Sequence, residues 1–361
     1  MMKALIVTVF DSINCGSYWQ AKALEEILSQ IGCEVYFLKR CGHNAKSTSS
    51  IIRKIRTFLM VSAKSGFKAA NKYIQRLKDF NIIRKDMKAI DLSEAKDMDF
   101  IVLGSDTIWN LESDYFADHR KVFWGGAFAD KKIISYGGSV ANTTFDTLKK
   151  FPELGQYVNS WRNISVRDKN TFDLLSGLTE KEIFMVCDPT LLMEPTFYSE
   201  KAKVNPNNNG NKYIFLYLFK PLSKKQSDNL RIFATKRNLK IIQGAGEVKF
   251  DNCDSMSVNS PNEFIKHMAN AEYVVTDTFH GTIFSILFNR QMCIIERNKN
   301  KIFDILDRLN LTDRMITEDS DISAKLCNEI DYASVNELVE LFRRQSEDYL
   351  KDSIREDRNE N

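Results

Sequence analysis

Ala4-Leu5-Ile6-Val7-Thr8-Val9-Phe10, running straight into Asp11-Ser12-Ile13-Asn14-Cys15-Gly16-Ser17, is the stretch that decides the fold class. A run that is apolar at all but one position and rich in β-branched residues reads as a strand covered on both faces, because a strand with one wet face would alternate. Ala21, Leu24, Ile27, Leu28 and Ile31 then recur at helical spacing until Gly32 stops the pattern, and residues 35–38 form the next apolar run. Strand, helix and strand in this order make a βαβ unit. Such a unit demands a parallel sheet and a right-handed crossover, and it places functional loops at the carboxyl ends of its strands. The 11–17 loop is the first of these.

The same grammar continues outward. Residues 100–103 run into Gly104-Ser105-Asp106, residues 132–136 into Gly137-Gly138-Ser139, and residues 183–186 into Cys187-Asp188-Pro189. Asn205-Pro206-Asn207-Asn208-Asn209-Gly210-Asn211 holds five Asn and no apolar residue, the composition of a linker. A second α/β series follows, with strands expected at 213–219, 240–243, 273–275 and 292–295. Helices are expected at 223–238, opened by a Ser-x-x-Gln box, at 261–270, with Ser260 as cap and Pro261 at its first position, and at 282–288. A last helix is expected from the Ser334-x-x-Glu337 box, with the charged tail after Tyr349 frayed. The chain therefore divides into an N-terminal α/β domain (1–204), a C-terminal α/β domain (212–333) and a helix with a charged tail (334–361). Two such domains set two groups of strand-end loops face to face across a cleft.

Composition narrows the functional classes. The 361 residues suit two domains, and 43% hydrophobic with 27% charged residues, 6 Pro and 15 Gly exclude fibrous and disordered chains. Seven cysteines with no Cys-x-x-Cys spacing indicate neither a disulfide framework nor a metal site, and a reducing, cytoplasmic setting is expected. No window offers the apolar length of a spanning helix. The net charge of +3 hides a division: residues 45–90 hold twelve Lys and Arg against Asp79 and Asp86, which leaves −7 for the rest. Ile51, Ile52, Ile55, Phe58 and Leu59 share one face of a helical wheel there, so the segment reads as a basic amphipathic helix or helix pair inserted into the first domain. It is either a solvated insertion or a contact with the anionic inner face of a membrane. Phe58, Phe67, Tyr73 and Phe80 fit an apolar helix face better than a base-stacking platform, so no nucleic-acid partner is expected.

Four places could carry chemistry. Asp277-Thr278-Phe279-His280-Gly281-Thr282 stands between a strand and a helix start, where free N–H groups and an imidazole could hold a phosphate or carboxylate; the alternative is a cap at Thr278 with His280 packed in a turn. Gly104-Ser105-Asp106-Thr107-Ile108-Trp109-Asn110 offers a carboxylate as base or sugar ligand and Trp109 as a ring face, or else a capping Asp and a core Trp. Asn14-Cys15-Gly16-Ser17-Tyr18 is either an anion nest or a simple helix cap, and it lacks the glycine spacing of a nucleotide loop. Ser165-Val166-Arg167-Asp168 and Glu296-Arg297-Asn298-Lys299-Asn300-Lys301 offer cations for an anionic substrate, each otherwise a surface ion pair, and Asp188-Pro189-Thr190 reads as a structural turn.

Taken in order, residues 11–17, 104–110, Ser165-Val166-Arg167-Asp168, Cys187-Asp188-Pro189-Thr190-Leu191-Leu192, residues 276–282 and the 297–314 stretch resemble the polysaccharide pyruvyl transferase family over nearly the whole chain. The resemblance implies two Rossmann-like domains facing a cleft, as in B-type glycosyltransferases. It also implies phosphoenolpyruvate as the donor substrate, with no separate cofactor, and a free or lipid-linked glycan as acceptor, with pyruvate attached as a ketal and phosphate released. On that basis His280 and Asp106 are expected in catalysis. Arg167, Thr278, His280, Gly281 and Arg297 are expected at the donor, on the C-terminal side, and Asn14, Ser17, Trp109 and Asn110 at the acceptor, on the N-terminal side. Many relatives carry an Arg two residues before the histidine; here Thr278 stands there, and Arg297 is the expected substitute. The alternative on the same fold is a glycosyltransferase using a nucleotide sugar.

Overall fold

The computed structural model describes residues 1–39, 48–205, 212–246, 249–297, 300–317 and 320–355. The expected linker, apart from Asn205, the first residues of the basic segment and the last six residues lie outside them.

The N-terminal domain is built on β1 (Met2–Val7), β2 (Cys33–Leu38), β3 (Ala89–Ile90), β4 (Phe100–Leu103) and β5 (Lys132–Ser135), all parallel in the order β3-β2-β1-β4-β5. Backbone bridges Ile134↔Asn163 and Gly138↔Val166 carry this sheet on to β6 (Ile164–Val166) and its parallel partner β7 (Ile183–Met185). The C-terminal domain repeats the plan with β8 (Tyr213–Tyr217), β9 (Lys240–Gln243), β10 (Ser255–Met256), β11 (Tyr273–Thr276), β12 (Gln291–Ile295) and β13 (Met315–Ile316), ordered β10-β9-β8-β11-β12-β13. Register follows the apolar runs: Ala4 lies beside both Val35 and Phe100, and Thr276 beside Tyr217 and Ile294. In each sheet the strand order reverses after the first strand, between β1 and β4 and again between β8 and β11. Loops at such a switch point open outward and leave a crevice, and here two crevices face one another. The chain is thus two Rossmann-like domains around a cleft.

The helices that matter for the site are α1 (Cys15–Gln30), α2 (Thr48–Ile83), α3 (Lys169–Ser176), α4 (Pro189–Leu192), α5 (Lys224–Lys236), α6 (Pro261–Asn270), α7 (Phe279–Leu287), α8 (Asn300–Arg308) and α9 (Tyr332–Arg355). The basic segment is the expected helix pair, with α2 broken at Gly66, whose φ of 81° lies in the left-handed region open to glycine. Among the described residues no helix is long and apolar enough to cross a membrane.

Three expectations need correction. The helix after β11 starts at Phe279 rather than Thr282, which puts His280 in its first turn. The last helix is capped by Asp331, whose carboxylate accepts from Ala333 N at 3.1 Å and from Ser334 Oγ at 2.7 Å, so the Ser334 box is not the start. The tail is not frayed after Tyr349: α9 runs back onto the N-terminal domain, where Tyr349 donates to Ser135 O at 2.9 Å and Ser346 Oγ receives Cys187 N at 2.8 Å. Leu350 and Ile354 are fully enclosed there. Its apolar stripe continues past the charged residues that suggested fraying, and burial outweighs them.

One apolar core runs through both domains. Trp19 on α1 meets Tyr198 edge to face at 5.5 Å, Tyr198 meets Phe284 on α7 at 4.9 Å, and Phe284 meets Phe264 on α6 at 5.1 Å. Trp19 Nε1 also donates to Pro261 O at 3.0 Å. Truncating a ring of this size in a packed core costs about 3–5 kcal/mol. Phe284→Ala is therefore expected to lower the urea midpoint by that equivalent; an unchanged midpoint would mean that the domains do not lean on this contact.

Candidate active site

Four strand ends build the site. After β1, Asn14 caps α1, its Oδ1 accepting from Gly16 N at 2.9 Å and Ser17 N at 3.4 Å. This presents Ser17 Oγ to Asp106 Oδ2 at 2.8 Å. After β4, Asp106 adopts φ 74°, a conformation that Asp tolerates better than most residues, and its Oδ1 accepts from Thr107 N at 2.7 Å. After β6, the buried Arg167 guanidinium pairs with Asp188, lies 3.6 Å from Asp106 Oδ1 and stands 4.8 Å over the Phe279 ring. After β7, Asp188 caps α4 through Thr190 N at 3.1 Å and Thr190 Oγ1 at 2.7 Å.

The C-terminal domain adds the fifth group. Thr278 caps α7 by accepting from Gly281 N at 2.9 Å, and this cap aims the next turn across the cleft. His280 then comes to rest on the backbone of Gly16, so closely that a Cβ on Gly16 would lie 2.1 Å from His280 Nδ1. Its Nε2 is 3.8 Å from Asp188 Oδ2 and makes no hydrogen bond among the described residues. Asn14, Ser17, Asp106, Tyr217, Phe219, Thr278, His280 and Lys301 line a cavity of about 190 Å³ between the domains.

The electrostatics follow from burial. Enclosure pushes His280 down to about 4, with Asp188 pulling the other way, so the imidazole is neutral in neutral water. For Asp106, burial alone would raise the carboxyl, but the charges of Arg167 and Lys301 and the Ser17 hydrogen bond outweigh it and hold it below the usual range. Asp188 is likewise lowered, burial being overcome by His280, Arg167 and the Thr190 bonds. An unfolded chain takes up a proton near pH 6.5 at a histidine that the folded site keeps neutral, so stability is full above that pH and falls as pH drops toward 4. Moving from pH 7 to 5 is expected to cost about 2 kcal/mol through His280, and urea titrations of the protein and of His280→Asn at both pH values would show the difference.

Some expected residues meet and others do not. Asn14, Ser17, Asp106, Arg167, Thr278, His280 and Gly281 are brought together, although Gly281 serves by its lack of a Cβ: one there would lie 2.2 Å from Thr276 Oγ1. Trp109, expected at the acceptor, is instead a core residue. It is fully enclosed, stacks on Trp161 at 5.0 Å and donates to Phe123 O at 2.9 Å, leaving no ring face for a sugar. Asn110 is not part of the cavity lining and accepts from Glu112 N at 3.0 Å. Arg297 donates to Pro221 O at 3.0 Å and lies 3.8 Å from Asp277 Oδ2, outside the cavity lining; the cation that this stretch delivers is Lys301, 5.3 Å over the Phe279 ring. Lys301 stands in the 296–301 stretch that the sequence offers as a source of cations, whereas Asp188, Tyr217 and Phe219 were missed. Their only advance signal was position: each stands at or just beyond a strand end.

The profile of the polysaccharide pyruvyl transferase family matches residues 14–300, a span that includes every one of these site residues except Lys301. The chain belongs to the polysaccharide pyruvyl transferase family. It is therefore an enzyme, and a transferase of polysaccharide biosynthesis. No curated protein matches the sequence. By structure, the chain is similar to a UDP-N-acetylglucosamine 2-epimerase at 9% identity, over 94% of this chain and 90% of that one, with a TM-score of 0.50. The UDP-GlcNAc 2-epimerase of Methanocaldococcus jannaschii (11%, 94% and 92%, 0.49) and spinosyn forosaminyltransferase (10%, 99% and 98%, 0.49) follow the same pattern. At these identities the likeness is one of fold alone. The Thr278 hydroxyl is committed to capping α7.

Proposed function

We propose that this pyruvyl transferase takes pyruvate from phosphoenolpyruvate and attaches it as a ketal to a sugar of a surface-polysaccharide precursor, releasing phosphate. The observation that carries the reading is the meeting of His280, from one domain, with Asp106 from the other at a cavity that both line, backed by the buried Arg167 and Asp188.

The chemistry assigns roles. A proton must reach the methylene carbon of the enol while a sugar hydroxyl attacks the adjacent carbon. A second hydroxyl then displaces phosphate, so the two hydroxyl protons end on the new methyl group and on the leaving phosphate. His280 Nε2, free of other bonds, is the proton carrier, and ionised Asp106 takes the proton of the attacking hydroxyl. Lys301 faces the anion with Arg167 behind Asp106, but Asp106 and Asp188 offset both charges. A donor carrying about −2.5 to −3 therefore needs a further positive charge, and His280 supplies it by taking up a proton as the anion enters. Asn14 and Ser17 stand on the acceptor side, beside Asp106.

Phosphate release from phosphoenolpyruvate, screened over free and lipid-linked glycans, tests the reading. Acceptor-dependent release supports it, whereas turnover of a nucleotide sugar with no effect of phosphoenolpyruvate overturns it. A finer test concerns the cations. Lys301→Ala is expected to raise the KM for phosphoenolpyruvate at least about tenfold, the loss of one hydrogen bond to a charged group, while Arg297→Ala leaves it within about twofold. The reverse pattern would restore Arg297 as the substitute for the absent Arg.

A further inference from the structure

The helix pair α2 is laid out unlike a solvated insertion. Its inner face is packed by Val61, Ala70, Tyr73 and Phe80, all buried. Its outer face should then be polar, yet Ile52 (58% exposed), Ile55 (54%), Leu59 (60%) and Phe67 (65%) stand in water. Six of the fourteen large apolar side chains exposed among the described residues belong to this one element, Met60 and Ile82 being the others. Ile52, Ile55 and Leu59 follow helical spacing, so they form a stripe rather than a scatter. Lys54, Arg56, Lys64 and Lys68 surround it in solvent, and no acidic residue occurs between positions 45 and 78.

The pair is also fastened to the site. Arg76 Nη2 donates to Ile13 O at 2.7 Å and Arg84 donates to Ser12 O, which fixes the loop just before Asn14. Ser65 Oγ accepts from Lys249 N at 3.0 Å, and Lys72 donates to Met256 O, so the same element touches the C-terminal domain. Whatever binds the outer face is held at a set position relative to the cleft.

An aliphatic stripe ringed by cations without acids matches a surface that is apolar within and anionic at its rim. We infer that the helix pair docks the enzyme on an anionic bilayer, with Ile52, Ile55, Leu59 and Phe67 seated at the acyl boundary and the lysines and Arg56 on lipid phosphates. Docking sets the mouth of the cleft against the leaflet that carries a lipid-linked acceptor; this last consequence rests on the transfer reading, while the docking itself does not.

The test uses the full chain without donor or acceptor, so failure of the transfer chemistry leaves its result unaffected. The protein is expected to sediment with phosphatidylglycerol–phosphatidylcholine vesicles and not with phosphatidylcholine alone. The triple variant Lys54→Gln, Lys64→Gln, Lys68→Gln is expected to bind roughly 100-fold more weakly, about fivefold for each cation. A second triple, Ile55→Ser, Leu59→Ser, Phe67→Ser, is expected to lose binding while keeping the same circular dichroism, because these side chains face solvent. Sedimentation of either triple equal to that of the parent protein, no sedimentation of the parent protein, stronger retention of duplex nucleic acid than of vesicles, or self-association abolished by the apolar triple would each overturn the assignment.

Discussion

Gly16→Ala is expected to lower kcat/KM by about 100-fold or more while the protein stays folded, because it moves a reacting group by more than an ångström. In most helices this exchange stabilises, since alanine is the better helix former by up to about 1 kcal/mol. Here the new methyl group would fall 2.1 Å from His280 Nδ1 and 2.3 Å from Cγ, distances at which the imidazole must leave its place. It cannot retreat along α7 without breaking the Thr278 cap, and it cannot advance into Asp188 and Arg167. Either the ring turns away or the domains part. The decisive comparison is kcat/KM against thermal melting of the same preparation. Loss of turnover with an unchanged or higher melting point identifies Gly16 as the seat for His280, whereas a fully active Gly16→Ala protein would show that the observed contact is not the working one.

That contact explains why the fold was more legible than the site. Strands such as β1 and β4 are spelled out locally, because burial on both faces requires consecutive apolar residues and the strand ends in residues that can turn. Asp106 was visible on that ground. Asp188 was not: it looks like an ordinary Asp-Pro turn, and its importance arises only when β6 brings Arg167 beside it and the other domain brings His280. Trp109 was misplaced for a related reason. Nothing near it in sequence tells which way the indole turns, and the space it fills exists because Gly138, remote in the chain, lacks a side chain; a Cβ there would meet the ring at 2.5 Å. Arg297 and Lys301 are four residues apart in sequence, and only Lys301, in the first turn of α8, lines the cavity. A composition that names the charges of a segment does not name the one that faces the ligand.

The helix pair and the cavity also bear on each other. Arg76 and Arg84 hold the carbonyls of residues 13 and 12, and three residues after Ile13 Gly16 receives His280. The loop between them is short and fastened at both ends, so a force on α2 is passed to the seat of the imidazole rather than absorbed.

His280→Asn is expected to reduce kcat/KM by about a thousandfold, the usual worth of a positioned acid–base group, and to change how donor affinity responds to pH. Burial holds His280 near 4, so above pH 5 nearly all molecules carry a neutral ring. If the donor binds only with that ring protonated, each unit rise in pH between 5 and 7 demands a proton ten times scarcer, and apparent affinity falls about tenfold per unit. Phosphoenolpyruvate has an ionisation of its own in this range, which is why the variant matters. Asparagine keeps a polar group of similar reach but cannot titrate, so only the slope due to the substrate should remain. Calorimetry in buffers of different ionisation enthalpy reads the same event directly, as uptake of close to one proton on binding to the parent protein and distinctly less on binding to His280→Asn. Equal proton uptake by the two proteins would assign the missing charge to a group other than His280 and remove the histidine from donor binding, whatever its effect on turnover.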